Sequence, residues 1–117
     1  MANETLEHLA QERILILTTY RRTGVPVPTP IGFVREGDQF LIWTRAETGK
    51  VKRIRHTPAV TVAPGTPRGD VTGPALPAVA SILPAEETPR VLARLKERYP
   101  TAFQEATGGV ILAVTLR

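Results

Sequence analysis

Apolar and polar positions along the 117-residue chain predict a β-rich fold with a few helices. Leu6 and Leu9, three residues apart, give Thr5 to Gln11 one apolar face and predict a short amphipathic helix. The run Ile14-Leu15-Ile16-Leu17 within Arg13 to Tyr20 predicts a strand buried on both faces. Arg22-Thr23-Gly24 supplies a turn, and Val25 to Val34 reads as the returning strand. A second tight turn at Glu36-Gly37-Asp38 leads to a strand over Gln39 to Thr44. Thr48 to His56 reads as helical, Ala59 to Pro64 as a strand, and Val71 to Leu83 as a long strand interrupted by prolines. Glu86 to Tyr99 carries the strongest helical pattern: Val91, Leu92, Leu95 and Tyr99 share a face, Pro89 falls in the first turn, and Pro100 ends it. Gly108-Gly109 precedes a last strand, Val110 to Leu116. About six strands with two or three helices, and hairpins in the first third, favour a split or closed antiparallel β-barrel over a doubly wound parallel sheet. The length fits one domain, 1–117, mainly β with peripheral helices.

The second predicted strand has an unusual feature. Pro26, Pro28 and Pro30 occupy alternate positions, so every backbone donor is missing from one edge. Val27, Thr29 and Ile31 keep their N–H groups for pairing on the other. Two readings follow: an edge strand protected against aggregation, or a bare edge lying beside a ligand. They are compatible.

Composition narrows the chemistry. Apolar residues make up 42% of the chain, enough for a packed core. Lys and Arg number 15 against 11 Asp and Glu, a formal charge of +4, which favours an anionic partner. With no cysteine, disulfides, thiolate metal sites and thiol nucleophiles are excluded, and two histidines do not make a His-rich metal centre. The start Met1-Ala2-Asn3-Glu4 lacks a basic segment followed by an apolar one, and the longest uncharged run, Val71 to Ala85, is too short to span a bilayer. A cytoplasmic protein, with no membrane partner, is the expectation.

The densest chemical signal is Thr44 to His56, where five Arg or Lys residues and one His follow a strand. Thr48 stands at a helix N-cap position, Gly49 lets an anion approach the backbone, and Lys50 and Arg53 share a face, while Val51 and Ile54 anchor the helix. This fits a phosphate clamp. A solvated basic helix and a nucleic-acid contact are the alternatives; the second is unlike known basic stripes because no aromatic residues interleave the charges. Arg21, Arg22 and Arg68 would enlarge a positive groove if the fold brought them together. His56 reads as a helix-end cation, His8 as an ordinary surface residue, Trp43 as core or cofactor-wall packing, and Gly73 as a bulge. No Ser–His–Asp arrangement, paired-carboxylate spacing, P-loop or dinucleotide fingerprint is present.

The run Phe40-Leu41-Ile42-Trp43-Thr44-Arg45-Ala46-Glu47-Thr48-Gly49-Lys50-Val51-Lys52-Arg53-Ile54-Arg55, followed by Thr57-Pro58-Ala59-Val60-Thr61-Val62, resembles the flavin/deazaflavin oxidoreductase superfamily. Leu17 to Pro30 and Val62-Ala63-Pro64 with Arg68-Gly69 extend the resemblance over nearly the whole chain. It is nearest to the small PPOX-class enzymes that use coenzyme F420, relatives of pyridoxamine-phosphate oxidase. The resemblance implies a split β-barrel homodimer with the cofactor in a groove shared between subunits. By position, Lys50 would pair with the cofactor phosphate, helped by Thr48, Gly49 and Arg53. Trp43 and Thr44 would line the ring and ribityl region, Thr29, Pro30 and Ile31 would lie along the ring, and Pro64 and Arg68 would close the pocket. FMN-binding oxidases of the superfamily place an Arg near the start of the second strand, where this chain has Pro28, which favours F420 over FMN. The resemblance then implies hydride transfer from reduced deazaflavin to an unsaturated small-molecule acceptor with no dedicated protein base. The alternatives are an FMN-binding oxidase or flavin carrier on the same fold and, in another class, a basic nucleic-acid-binding barrel.

Overall fold

A computed structural model describes residues 2–117, with side chains over 4–117. The elements run α1 (Ala2–Ala10), β1 (Leu15–Tyr20), β2 (Pro26–Ile31), β3 (Val34–Glu36), β4 (Gln39–Thr44), α2 (Gly49–His56), β5 (Ala59–Pro64), β6 (Leu76–Ile82), α3 (Thr88–Arg98) and β7 (Val110–Leu116), with a 3₁₀ turn at Ala85–Glu87 leading into α3. The seven strands form one antiparallel sheet in the order β2-β1-β5-β6-β7-β4-β3. β2 and β3 therefore end up at opposite edges of the sheet, yet only Gly32 and Phe33 separate them in sequence. Ile31 and Val34 are three residue steps apart, a span of no more than about 11 Å, so the sheet has to curl until its edges approach. A half-barrel with a split between β2 and β3 is the result.

Alternation along the strands fills the interior. Leu15 and Leu17 of β1, Phe40 and Ile42 of β4, Val60 and Val62 of β5, and Leu112 and Val114 of β7 meet Leu6 and Leu9 of α1, Ile31 and Phe33 in one core. α1 covers one end of that core with the two leucines that predicted it. The opposite face of β4 and β7 carries Leu41, Ile111 and Ala113 and receives Val91, Leu95 and Tyr99 from α3 and its C-cap. Burying each large side chain contributes roughly 1.5–3 kcal/mol, so this second cluster holds α3 firmly on the sheet.

The first helix is Ala2–Ala10 rather than Thr5 to Gln11 and the first strand begins at Leu15 rather than Arg13; the structure differs further from the sequence expectation at three places. The predicted strand Val25 to Val34 is two strands, β2 and β3, because the chain changes sheet edge at Gly32-Phe33; the count is seven rather than about six. The predicted strand from Val71 begins only at Leu76: Val71 makes an isolated bridge to Gly65, and Pro74 lies in the segment before regular pairing starts. The last helix begins with a 3₁₀ turn, and Tyr99 is its C-cap rather than its last turn. The bounds of β4, β5 and β7 coincide with the predicted ones.

Candidate functional site

Among the described residues, β2 is an edge strand that pairs with β1 alone. Val27, Thr29 and Ile31 stand opposite Thr19, Leu17 and Leu15, while the three prolines stand opposite Tyr20, Thr18 and Ile16. Since proline has no N–H, the pairs that exchange hydrogen bonds are those of the odd-numbered residues, and the prolines turn their bare nitrogens to the unpaired edge. A cavity of about 320 Å³ lies where the end of this strand meets the end of β4 and the first turn of α2. Thr29, Pro30, Ile31 and Gly32 form one wall, Ile42, Trp43, Thr44 and Arg45 another, Thr48 and Lys50 a third, and Phe103 closes it. Its volume is at the small end of the range for ligand clefts, about 300–1,000 Å³.

Trp43 is fixed in this wall by two contacts. Its indole N–H donates to the carbonyl of Gly108 at 2.6 Å, and its ring meets Phe103 edge-on with centroids 6.2 Å apart. Gly109 makes room for it: a Cβ there would lie 2.5 Å from Trp43 Nε1. Thr44 is buried, with its hydroxyl 3.2 Å from that of Thr48. The Thr48 side chain does not cap α2; it donates to the carbonyl of Arg45 at 3.2 Å. The opening N–H groups of α2 thus have no side-chain acceptor from the N-cap, which leaves the positive end of the helix open to an anion.

Lys50 is half-buried in this cavity and, among the described residues, has no carboxylate within ion-pair distance. Burial, and after it the charge of Arg53, push its ammonium below the usual lysine range. A desolvated cation without a counter-charge is unfavourable alone and is relieved by a bound anion.

Seven of the sequence-predicted site residues come together here: Thr29, Pro30, Ile31, Trp43, Thr44, Thr48 and Lys50. Four do not. Gly49 and Arg53 line a different cavity of about 280 Å³ with Tyr20, Arg21, Arg22, Lys52 and His56. Arg53 is held there because its Nε donates to the fully buried hydroxyl of Thr19 at 2.6 Å. Pro64 is buried beside another cavity of about 760 Å³, larger than these two, and Arg68 is exposed and lines none of these cavities. That larger cavity is lined by Glu4 and Glu12 and, among the described residues, by no lysine or arginine, the wrong charge for an anionic ligand. Sequence reasoning missed Phe103, Gly32, Ile42 and Arg45 as lining residues. Phe103 lies in the loop after α3, where no periodic pattern marks it; Gly32 could have been found as the glycine that ends the proline strand. Among the described residues no group of three or more His, Cys, Asp or Glu is placed to hold a metal ion, and no helix is long and apolar enough to cross a membrane.

Residues 1–113 match the family model described as pyridoxamine 5'-phosphate oxidase. The fold is similar to that of several solved structures. An F420 reductase superposes with a TM-score of 0.71 at 20% identity, over 95% of this chain and 92% of that one. A FAD-binding protein of Mesorhizobium loti superposes with a TM-score of 0.74 at 15% identity, over 100% and 90%. The heme storage protein HutZ of Vibrio cholerae superposes with a TM-score of 0.72 at 16% identity, over 98% and 89%. No curated protein matches the chain in sequence.

Proposed function

The chain belongs to the pyridoxamine 5'-phosphate oxidase family, and on that premise we propose that it is an oxidoreductase that binds coenzyme F420 and reduces an unsaturated small molecule. The observation that carries the reading is Lys50: a half-buried ammonium without an acidic partner, in a cavity walled by the bare-edged strand and by Trp43. The residues fit such a group. Lys50 and the open first turn of α2 would hold the phosphate, Trp43 and Thr44 would border the ring and ribityl region, and Thr29 to Ile31 would lie along the ring. Lys50 and Arg45 are the cations that line the cavity. The choice of F420 over FMN rests on the resemblance, in which Pro28 stands near where FMN-binding oxidases of the superfamily carry arginine. When bound, the deazaflavin supplies hydride from its C5 position. The protein's part is then to bind, orient and exclude water.

We also propose that the protein acts as a homodimer. The outer face of β2, β1, β5 and β6 presents Pro26, Pro28, Pro30, Thr18, Thr61, Pro77 and Val79, none of them charged, and Val79 is 40% exposed. Pro30 belongs both to this face and to the cavity, so a second copy seated here would add a wall to the cofactor groove. Titration of the purified protein with F420 and separately with FMN, followed by cofactor fluorescence, tests the function. Saturable F420 binding weakened by about 1.5–3 kcal/mol in Lys50→Ala is expected, the range for a charge-assisted hydrogen bond. Binding of FMN alone would turn the reading to a flavin oxidase or carrier. Salt-sensitive retardation of nucleic acid with neither cofactor bound would turn it to a nucleic-acid-binding barrel.

A further inference from the structure

The cavity along the Gly49, Lys52, Arg53 and His56 side of α2 shares no lining residue with the Lys50 cavity. Two elements converge on it. The turn after β1 brings Arg21 and Arg22, and α2 brings Lys52, Arg53 and His56. Four basic side chains thus line a space of about 280 Å³ that, among the described residues, no carboxylate lines. Among the described residues none of the four has an acidic group within ion-pair distance. Like charges repel, so an arrangement of this kind loses free energy unless solvent or an anion separates the charges.

Two of the cations are also held in place. Arg53 is tied at Nε to the buried Thr19, which leaves its terminal nitrogens to point elsewhere, and its Nη1 lies 2.5 Å from where a Cβ on Gly49 would be. Any larger residue at position 49 would displace the guanidinium. Arg22 has Nη2 at 2.9 Å from Nε2 and 3.1 Å from Nδ1 of His56, and donates to whichever of these nitrogens carries no proton. Arg53, held at Nε rather than at its terminal nitrogens, loses little entropy on meeting a tetrahedral oxyanion. A solvated basic face needs neither the buried anchor nor the glycine.

We propose that this cavity is a second anion site, distinct from the cofactor cavity, that takes a dianionic phosphate group, whether inorganic phosphate or a small phosphate monoester. The dianion follows from the number of cations, and the compact ligand from the volume. The proposal stands whether or not F420 is the cofactor, since none of its residues lines the Lys50 cavity.

Isothermal titration of the full chain with inorganic phosphate in a chloride buffer tests it, with glycerol 3-phosphate as the monoester arm. Saturable binding is expected that survives in Lys50→Gln and weakens by about tenfold or more in the double variant Arg22→Gln/Lys52→Gln, as the loss of two charge-assisted contacts requires. Arg21→Gln, at the exposed turn, gives a second reading if the double variant does not fold. Tighter binding of the monoester would assign the site to an ester, and equal binding to free phosphate. No saturable binding, or binding lost in Lys50→Gln and unchanged in the double variant, overturns the proposal. So does a fall in F420 affinity in the double variant, which would assign these cations to the cofactor's acidic tail.

Discussion

The hydroxyl of Tyr99 accepts the backbone N–H of Phe33 at 3.1 Å, across 66 positions of sequence, and lies 2.8 Å from the carbonyl of Arg13, to which it donates. This one oxygen ties the end of α3 to the two-residue link on which the curl of the sheet depends. Replacing Tyr99 with Phe leaves the buried N–H of Phe33 unsatisfied, at a cost of about 1–3 kcal/mol. Chemical denaturation is expected to show a lower midpoint with an unchanged slope, since the same surface is exposed on unfolding. An unaltered midpoint would remove Tyr99 from this role.

Gly109 combines φ of +77° with a position where a Cβ would lie 2.5 Å from Trp43 Nε1 and 2.6 Å from the carbonyl of Thr44. Gly24 has a similar φ of +87° and open space around it. Gly24→Ala is therefore expected to cost only the left-handed backbone penalty, roughly 1–2 kcal/mol. Gly109→Ala is expected to cost more and to shift the emission of Trp43, the sole tryptophan of the chain. On the proposed function it is also expected to weaken cofactor binding, because the displaced indole is a wall of the cavity. Equal destabilisation by the two substitutions would show that the indole moves freely.

Much of this architecture is legible in the sequence, for a local reason. β4, β5 and β7 are runs of apolar residues between turn residues, and their bounds follow from that pattern. The edge position of β2 follows from the three prolines, whose missing donors allow one neighbour only. The division between β2 and β3 is not legible: Gly32 and Phe33 are flanked by apolar residues on both sides, and only closure of the whole sheet bends the chain there. The same limit applies to the site. Helical spacing puts Lys50 and Arg53 on one face of α2, but Thr19 on another strand decides where the guanidinium goes. Arg21, Arg22 and Lys52 were recognisable as cations, and Arg68 equally so, but the fold gathers the first three and leaves Arg68 outside.

Glu36 receives Arg90 and Arg94, each at 2.6 Å, and joins the hairpin of β3 to α3. The hydrogen bond from Arg90 is the main cause that holds its carboxyl below the usual glutamate range, against a smaller opposing effect of burial. A depressed carboxyl contributes stability that is present above its unfolded value of 4.5 and is lost as pH falls through the folded one. Glu36→Gln is expected to lower stability at neutral pH by about 0.5–1 kcal/mol, the upper range for exposed pairs. The difference from the wild type is expected to vanish in acid, as melting curves at several pH values would reveal. A constant difference across pH would mean that packing, not charge, is what the substitution removes.

Val79 stands on the uncharged outer face, opposite Ala59 of β5 and Thr115 of β7. In the homodimer proposed above, a carboxylate placed here would be buried in the interface without a counter-charge, at a cost of several kcal/mol. Val79→Asp is expected to yield a monomer in sedimentation equilibrium, with circular dichroism unchanged because position 79 is exposed in the single chain. Cofactor affinity is expected to fall with the dimer, since Pro30 sits on the same face. A stable dimer in this variant would move the interface elsewhere.

On the proposed function, Lys50 gives anion binding in its cavity a pH dependence of definite sign. Its ammonium is held below the reference value of 10.5 by burial and by Arg53, so proton loss begins at lower pH than for an exposed lysine. In folding, the unfolded chain binds the proton more tightly, and stability accordingly rises with pH between the folded and unfolded values. Binding has the opposite sense: an anion favours the charged form, so affinity is highest while Lys50 is protonated and falls as pH climbs through its free-state value. F420 titrations from about pH 7 to pH 10, spanning the range up to the ordinary lysine value, are expected to show this fall in the wild type. Lys50→Arg keeps its charge throughout and is expected to give a flat profile, as is Lys50→Gln at a weaker level. A decline of the same shape in all three proteins would place the titrating group elsewhere and leave Lys50 without a part in holding the anion.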